Sequence, residues 1–179
     1  AMGKVKLLKH TGLGREVLLD MLRGGEYFGN LAFSGRGSFS ETAIAQTDCC
    51  ILQISSDNFE RILNDHPDVA IKVLKAMGQR LDEFQETIKQ LSVYSVERRI
   101  AATLVRLANK MGEQMQDGTL IQLPLSRQDL AAMTGTTIET VSRVMSHFSE
   151  QGWISGGRKW VIVNDLKQLE KMSEEGAVN

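Results

Sequence analysis

Three side chains near the middle of the second half of the chain have the chemistry that reads the edges of DNA bases. Arg143 can donate two hydrogen bonds to the major-groove edge of guanine, Glu139 can accept from the amino group of cytosine, and Ser142 can bond to either kind of base. Glu139 and Arg143 are four residues apart, so on a helix they are neighbours. The same spacing also fits an ordinary ion pair, and Glu139 also fits a helix cap. These residues favour DNA reading and leave a structural alternative open.

Two short helices joined by a tight turn are predicted to carry these residues, within the stretch 126–149. Gly135 interrupts the helical pattern, because glycine can adopt the left-handed backbone that a sharp corner needs. Thr136 or Thr137 then restarts a helix, and Thr136-x-x-Glu139 has capping-box spacing. Apolar residues of the second helix recur at three- and four-residue steps and predict a buried stripe. This stripe consists of Ile138, Val141, Val144, Met145 and Phe148.

A hairpin is predicted after the helix pair, from Trp153 to Val163. Arg158 and Lys159 lie at its tip, where cationic side chains suit contacts with DNA phosphates. The alternative is an ordinary solvated turn. A hairpin that follows two helices of this kind indicates a winged helix-turn-helix. The chain beyond Asp165 is polar, and we expect its end to be frayed.

A long helix is predicted over residues 68–92, and its apolar residues alternate three- and four-residue steps. That spacing is the a/d seam through which one helix pairs with another. The seam consists of Leu74, Met77, Leu81, Phe84, Ile88 and Leu91. We expect it to join two copies of the chain in a homodimer; the alternative is that it packs on the strands of its own chain. Residues 93–95 resemble a hinge, and Ser95 suits the cap of a helix over residues 96–111.

Short strands are predicted in the first region, residues 4–55, which indicates a small barrel or sandwich. They are expected at residues 5–7, 17–19, 42–45 and 49–54, and a short helix is expected at residues 56–63. These strands are too few to close a barrel, so we expect the start of the first domain to be missing. Further on, residues 112–124 are expected to be a polar link with a short strand at 120–123.

Composition excludes several classes of protein. With 21 Lys and Arg against 22 Asp and Glu, the net charge is -1, so any DNA contact must come from a local cluster of cations. No apolar run reaches the ~18–20 residues of a membrane span, and no signal peptide is evident. The adjacent Cys49 and Cys50 are poor disulfide partners and fit a cytoplasmic protein, as one core residue and one exposed thiol or as a thiol sensor. His10, His66 and His147 are scattered and join no nucleophile–base motif, so we do not expect an enzyme.

Several segments together resemble the family of the cyclic-AMP receptor protein and the fumarate–nitrate regulator (Crp/Fnr). Residues 24–32 resemble the glycine-bearing cassette of its sensory barrel, and residues 97–101 resemble the start of the helix after its dimer helix. Residues 125–131 and 139–143 resemble its DNA-binding domain. The Glu-x-x-Ser-Arg motif is similar to the Fnr branch, because Ser142 stands where the cyclic-AMP branch typically has glycine.

The resemblance implies an α+β fold and a regulator that binds a palindromic promoter site as a dimer. Its parts would be a partial cyclic-nucleotide-binding-like β-barrel (a double-stranded β-helix) at residues 1–67, a dimerisation helix and hinge at 68–94, and a C-terminal winged helix-turn-helix at 95–179. RNA polymerase is the implied protein partner, touched by activators at the loop of residues 116–120. Residues in phosphate-contacting positions of the family are Ser126, Arg127, Gln128, Thr137 and Lys159.

The resemblance also implies an effector pocket near Gly29, Asn30, Leu31 and Phe84. Cyclic-nucleotide binders of the family have a glutamate where Asn30 stands and an arginine where Phe39 stands. An anionic phosphate without a paired cation would be costly to bury. These departures argue against cyclic AMP and leave haem, a redox or gas signal, or another small effector open. The alternative is a cyclic-nucleotide-responsive regulator.

Overall fold

The structure is a computed structural model, and it describes residues 2–10, 12, 16–29, 39, 41–121, 125–157 and 160–174. The chain forms two compact units. One contains Ala1–Lys9 and Asp20–Gln90, and the other contains His10–Leu19 and Leu91–Asn179. Strands and helices occur in both, so the predicted α+β class is confirmed. The three predicted domain boundaries stay a prediction.

Three strands and a short helix follow one another in the first part of the chain. They are β1 (Val5–His10), β2 (Glu16–Leu22), β3 (Thr42–Ala45) and α1 (Ser56–Asp65). The sheet has the order β2-β1-β3, and β1 pairs antiparallel with β3, with Val5 opposite Ala45. Val5 and Leu7 are buried on one face of β1, and the adjacent Leu8 is buried on the opposite face, so both faces of the strand are covered at this point.

The predicted strand at residues 49–54 is wrong. Cys50 forms only an isolated bridge with Met2, and residues 51–55 form no ladder among the described residues. The apolar run Cys49–Cys50–Ile51–Leu52 has the composition of a strand, but a strand also needs a neighbouring backbone to pair with. Cys49 and Cys50 are free thiols, and Cys50 is the exposed one.

The long helix α2 (Pro67–Val93) contains 27 residues, and Pro67 occupies its first turn, where a missing N–H costs nothing. None of its residues is buried. The six predicted seam residues are exposed by between 40% at Met77 and 67% at Leu74. Six exposed apolar side chains along one helix form a surface of the kind that packs against another surface.

The second part of the chain is a helical unit with a small sheet. Its elements are α3 (Val96–Met111), β4 (Gly112–Met115), β5 (Gly118–Ile121), α4 (Arg127–Thr134), α5 (Ile138–Glu150), β6 (Ile154–Gly157), β7 (Trp160–Val163) and α6 (Leu166–Glu174). The sheet has the order β4-β5-β7-β6. Its core gathers one buried stripe from each helix, including Ile100 and Leu104 of α3, Leu130 of α4, Phe148 of α5 and Leu169 of α6.

One expectation for this unit is corrected, and one helix was not predicted. The polar link begins with β4, which pairs with β5 from Gly112 opposite Ile121 to Met115 opposite Gly118, and β5 starts before the predicted strand. Residues 122–124 lie outside the described residues. The tail after Asp165 contains α6, which is anchored by the fully buried Leu169 and packs on α3. Within the described ranges, no helix is both long and apolar enough to span a membrane.

Candidate nucleic-acid interface

Helix α5 has one buried face and one open face, as its periodicity predicts. Val141, Val144, Met145 and Phe148 are almost completely buried. On the other face Glu139 and Arg143 are exposed and Ser142 is half-buried. The predicted stripe is wrong at Ile138, which is 46% exposed because it occupies the first residue of the helix, before the stripe reaches the core.

Local hydrogen bonds fix where α4 begins. Ser126 is the N-cap of α4 and forms a capping box with Asp129. The backbone N–H of Asp129 donates to Ser126 Oγ at 3.1 Å, and the backbone N–H of Ser126 donates to Asp129 Oδ2 at 3.0 Å. The Ser126 hydroxyl also donates to Asp129 Oδ2 at 2.7 Å. Three mutual hydrogen bonds hold the start of α4 in one conformation.

The turn between α4 and α5 depends on Gly135, which is left-handed at φ 60° and ends α4. The predicted capping box at Thr136 is wrong. The Thr136 N–H donates back to Ala131, which keeps Thr136 in the closing turn of α4. Thr137 is the N-cap of α5 and accepts from the Thr140 N–H at 3.3 Å. Glu139 therefore lies in the first turn of α5.

Local hydrogen bonds favour the ionised form of Glu139. Hydrogen bonds from its own backbone N–H and from the Thr137 hydroxyl hold the pKa of Glu139 below its ordinary value. The carboxylate is therefore an acceptor at neutral pH, and part of its bonding capacity is used within its own turn. Among the described residues, Glu139 and Arg143 form no ion pair, so the ion-pair alternative is not observed.

The predicted phosphate contacts lie at the beginnings of α4 and α5. Ser126 and Thr137 are the two N-caps, Arg127 is half-buried and Gln128 is exposed. Burial lowers the pKa of Arg127, but a guanidinium stays charged in proteins. Helix N-termini present unsatisfied N–H groups and favour anions. Lys159 lies outside the described residues.

The predicted hairpin after α5 is confirmed as β6 and β7, with Ile154 opposite Val163. Its base is held against α5, because the Trp153 ring lies 5.4 Å from that of Phe148 and 6.3 Å from that of His147. The tip residues Arg158 and Lys159 lie outside the described residues. The hairpin base therefore has a fixed place beside α5.

A second group of candidate residues lies in the first unit. Gly29 has φ +104°, and Phe84 on α2 is partly exposed. The Arg80 guanidinium lies 5.9 Å from the ring centres of both Tyr27 and Phe84 and donates to the Tyr27 carbonyl at 3.4 Å. Arg80 was missed from the sequence, although it lies one helical turn before Phe84. Phe39 is 75% exposed, and Asn30 and Leu31 lie outside the described residues.

This group offers a cation and aromatic surfaces to a small molecule. Two aromatic rings around one guanidinium form a cation–π arrangement. In the part of the chain that the structure describes, no cluster of three His, Cys, Asp or Glu residues could hold a metal ion.

Comparison with known families gives two matches that together span most of the chain. The Crp-like helix-turn-helix domain matches residues 98–172, and the cyclic nucleotide-binding domain matches residues 1–66. The cAMP-activated global transcriptional regulator CRP of Pasteurella multocida is 30% identical over 162 residues, which are 90% of this chain and 77% of that protein. A CRP-like cAMP-activated global transcriptional regulator of Mycobacterium tuberculosis is 26% identical over 169 residues, covering 94% of this chain and 75% of that protein.

Solved structures agree with the fold. A transcriptional regulator of the CRP/FNR family from Thermus thermophilus superposes with a TM-score of 0.77 at 25% identity, over 97% of this chain and 84% of that one. A CooA mutant from Carboxydothermus hydrogenoformans superposes with a TM-score of 0.73 at 25% identity, over 96% of this chain and 76% of that one.

Proposed function

Because this chain belongs to the Crp/Fnr family of DNA-binding transcription regulators, we propose that two copies of it bind one palindromic site, each reading a half-site with Glu139, Ser142 and Arg143. The single observation that carries this proposal is the two-faced helix α5. Its inner face is buried in the core, and its outer face presents an unpaired guanidinium and an ionised carboxylate among the described residues. Bases are read in the major groove by side chains of this kind on one helix.

We assign the phosphate contacts to the beginnings of α4 and α5 and to the hairpin of β6 and β7, called the wing below. Arg127 and Lys159 would supply positive charge, and Ser126, Gln128 and Thr137 would supply hydrogen bonds or helix N-termini. Such contacts set the register of a protein on the duplex without selecting a sequence. Because the base of the hairpin packs on α5, one helix and one hairpin would contact adjacent parts of the same half-site.

The dimer is assigned to the exposed stripe of α2. Leu74, Met77, Leu81, Phe84, Ile88 and Leu91 repeat with coiled-coil spacing, and none is buried within one chain. Pairing two such stripes would contribute about 1.5–3 kcal/mol for each side chain that becomes fully buried. A two-fold dimer also matches a palindrome, since each copy then meets an identical half-site.

The test of this function is a selection from randomised DNA duplexes with the full chain, followed by sequencing and by light scattering of the complex. We expect a palindrome, a guanine in each half-site, half-site centres about one helical turn (~34 Å) apart, and two chains per duplex. Recovery of no sequence preference, or of one chain bound to an asymmetric site, would refute the proposal.

For the effector, we propose a small molecule other than cyclic AMP, bound near Gly29, Asn30, Leu31 and Phe84. The support against cyclic AMP is the neutral Phe39, which stands where the resemblance places the phosphate-binding arginine. Arg80, near the rings of Tyr27 and Phe84, is a further candidate contact for the effector. The two curated relatives described above are cAMP-activated, so calorimetric titration with cyclic AMP is the direct test. We expect no binding below millimolar concentration. Micromolar binding that also tightens DNA binding would establish the cyclic-nucleotide alternative.

The identity of the effector is best approached by purifying the chain without added ligand. Mass spectrometry of released small molecules and an absorption spectrum would separate an organic ligand from haem.

In the proposed mechanism the effector acts at residues 1–67, shifts the paired helices of residues 68–94 and moves the DNA-binding domain of residues 95–179. RNA polymerase is the proposed partner, at the loop of residues 116–120.

A further inference from the structure

The first turn of α3 carries two adjacent arginines in a place where positive charge is unfavourable. The N-terminus of a helix has a partial positive charge, so cations there need compensation from outside the helix. Both Arg98 and Arg99 obtain it from backbone carbonyls. Arg98 donates to Ser173 at 2.7 Å and to Glu174 at 3.2 Å, at the end of α6.

Arg99 joins two other points of the same unit. Its Nε donates to the carbonyl of Thr134 at 2.8 Å, and its Nη1 donates to the carbonyl of Tyr94 at 3.0 Å. Thr134 is the last residue of α4, and Tyr94 directly follows α2. Both carbonyls lie at the negative ends of helices, where a cation is favoured. One guanidinium therefore ties the hinge after α2 to the turn before the reading helix.

A packing contact supports the same connection. A Cβ atom placed on Gly135 would lie 3.1 Å from Leu91 Cδ2, so the last turn of α2 packs on the turn between α4 and α5. Leu91 is also one of the seam residues and is 47% exposed. One part of its side chain therefore contacts this turn, and another part lies on the exposed stripe of α2. Thr134 itself is almost fully buried and its hydroxyl donates to Leu130 at 2.6 Å. Thr134, whose carbonyl accepts the hydrogen bond from Arg99, is therefore held in place by its own burial and hydrogen bond.

We propose that Arg99 is a positioning residue that fixes α5 relative to the end of α2, and thereby sets the half-site spacing that the dimer accepts. This inference rests on the proposed function, because it needs two paired copies on a palindrome. The Nε and Nη1 groups of Arg99 donate to backbone carbonyls, and Arg99 is not among the residues assigned to reading bases. A change of one base pair rotates a half-site by about 35° around the duplex, so only a rigid connection can discriminate between spacings.

The charge of Arg99 is less important than its shape. A guanidinium presents donors in a planar fork and can bind two carbonyls at once, whereas a lysine ammonium is a single mobile point on a flexible stem. We therefore expect Arg99→Lys to retain the fold and to lose most of the spacing selectivity. Arg106 provides a matched control on the same helix, since it makes no hydrogen bond or ion pair with a described residue.

The experiment measures binding of the full chain to the selected palindrome and to versions with one base pair added or removed at the centre. Wild type, Arg99→Met, Arg99→Lys and Arg106→Met are compared. Each protein is also tested on duplexes that carry a changed guanine in one half-site. Melting temperature and the number of chains per duplex are measured in parallel.

We expect wild type and Arg106→Met to lose about tenfold in affinity when the spacing changes by one base pair, as for a mismatch. Arg99→Met and Arg99→Lys should reduce this discrimination to about threefold or less, with base preference unchanged. Base preference would collapse together with spacing if Arg99 only maintained the fold, and that result would overturn the inference. An Arg99→Lys protein that is folded and as selective for spacing as wild type would overturn it too. Failure of wild type to select any palindrome would instead refute the proposed function.

Discussion

Replacing Arg143 by alanine tests the assignment of the reading helix most directly. The guanidinium is exposed, and among the described residues it has no hydrogen-bonding or ionic partner, so the change removes no internal contact of the folded chain. Stability should stay within about 0.5 kcal/mol of wild type, as at other open surface positions. Affinity should fall by about 1–3 kcal/mol per half-site for the lost bidentate contact with guanine.

In the proposed dimer this loss of binding free energy would occur twice, once in each half-site. Two lost contacts amount to about 2–6 kcal/mol, which corresponds to about 30- to 25,000-fold in the dissociation constant. The assay is fluorescence anisotropy on a duplex set in which the predicted guanine is replaced by each other base. Wild type should discriminate between these duplexes, and Arg143→Ala should bind all four with similar affinity. Arg106→Ala, from α3 of the same unit, is the matched control and should bind like wild type.

The ranking of the four duplexes by Arg143→Ala decides whether Arg143 reads a base. If Arg143→Ala still ranks the four bases as wild type does, Arg143 does not read that position, whatever happens to overall affinity. An equal loss on every duplex would place Arg143 on a phosphate instead. Either result would leave the family assignment intact and would move the base contacts to other residues of α5.

The other predictions concern the wing, the seam and the cap. Lys159→Ala should weaken binding to all sequences alike and make the salt slope of a dimer shallower by about 2, one for each copy, measured by anisotropy at several salt concentrations; a base-specific loss would contradict the phosphate role. Leu81→Asp should give monomers in sedimentation and lose palindrome binding, because a charge would be buried in the seam, whereas Gln79→Asp on the outer face of α2 should remain dimeric. A dimeric Leu81→Asp protein would show that the stripe is not the interface. Ser126→Ala should lower the free energy of unfolding in urea by about 0.5–2 kcal/mol, because Asp129 and the first turn of α4 lose their cap. Unchanged stability would mean that water replaces the Ser126 hydroxyl without cost.

Sequence patterns within a few residues were sufficient to predict α2, α5 and the turn between α4 and α5. The alternation of three and four residues located α5 and α2, and Gly135 located the corner because its φ of 60° suits glycine best. The cap at Ser126 is also local, since Asp129 lies only three residues away. The sequence left the start of α5 open between Thr136 and Thr137, because two adjacent threonines offer the same chemistry. Only the closing hydrogen bond to Ala131 distinguishes them.

Non-local pairing explains the elements that were missed. Strand β4 reads Gly-Glu-Gln-Met and has no apolar alternation, so its pairing with β5 could not be seen in composition. At residues 49–54 a strand was predicted that the structure does not contain, because these apolar residues have no ladder partner among the described residues. Helix α6 is secured by Leu169 and by Arg98, which lies 75 residues before Ser173. A hydrogen bond across that distance leaves no periodic signal.

The low net charge predicts that DNA binding depends strongly on the proposed pairing of two copies. Arg127 and Lys159 are the two cations assigned to phosphates, so a monomer would show a salt slope of only about -2 and a dimer of about -4. Raising the salt concentration fourfold would then weaken a dimer by about 150-fold and a monomer by about 12-fold. Under the proposed function, the phosphate contacts of one copy contribute little affinity at higher salt, and we expect occupancy to depend on the base contacts of Arg143 and on the linkage of two half-sites. If each copy binds weakly alone, DNA binding by the proposed dimer should be sensitive to changes in the geometry between its two copies of α5. A measured slope far steeper than about -4 would contradict this reasoning, since cations beyond these two would have to lie on the phosphates.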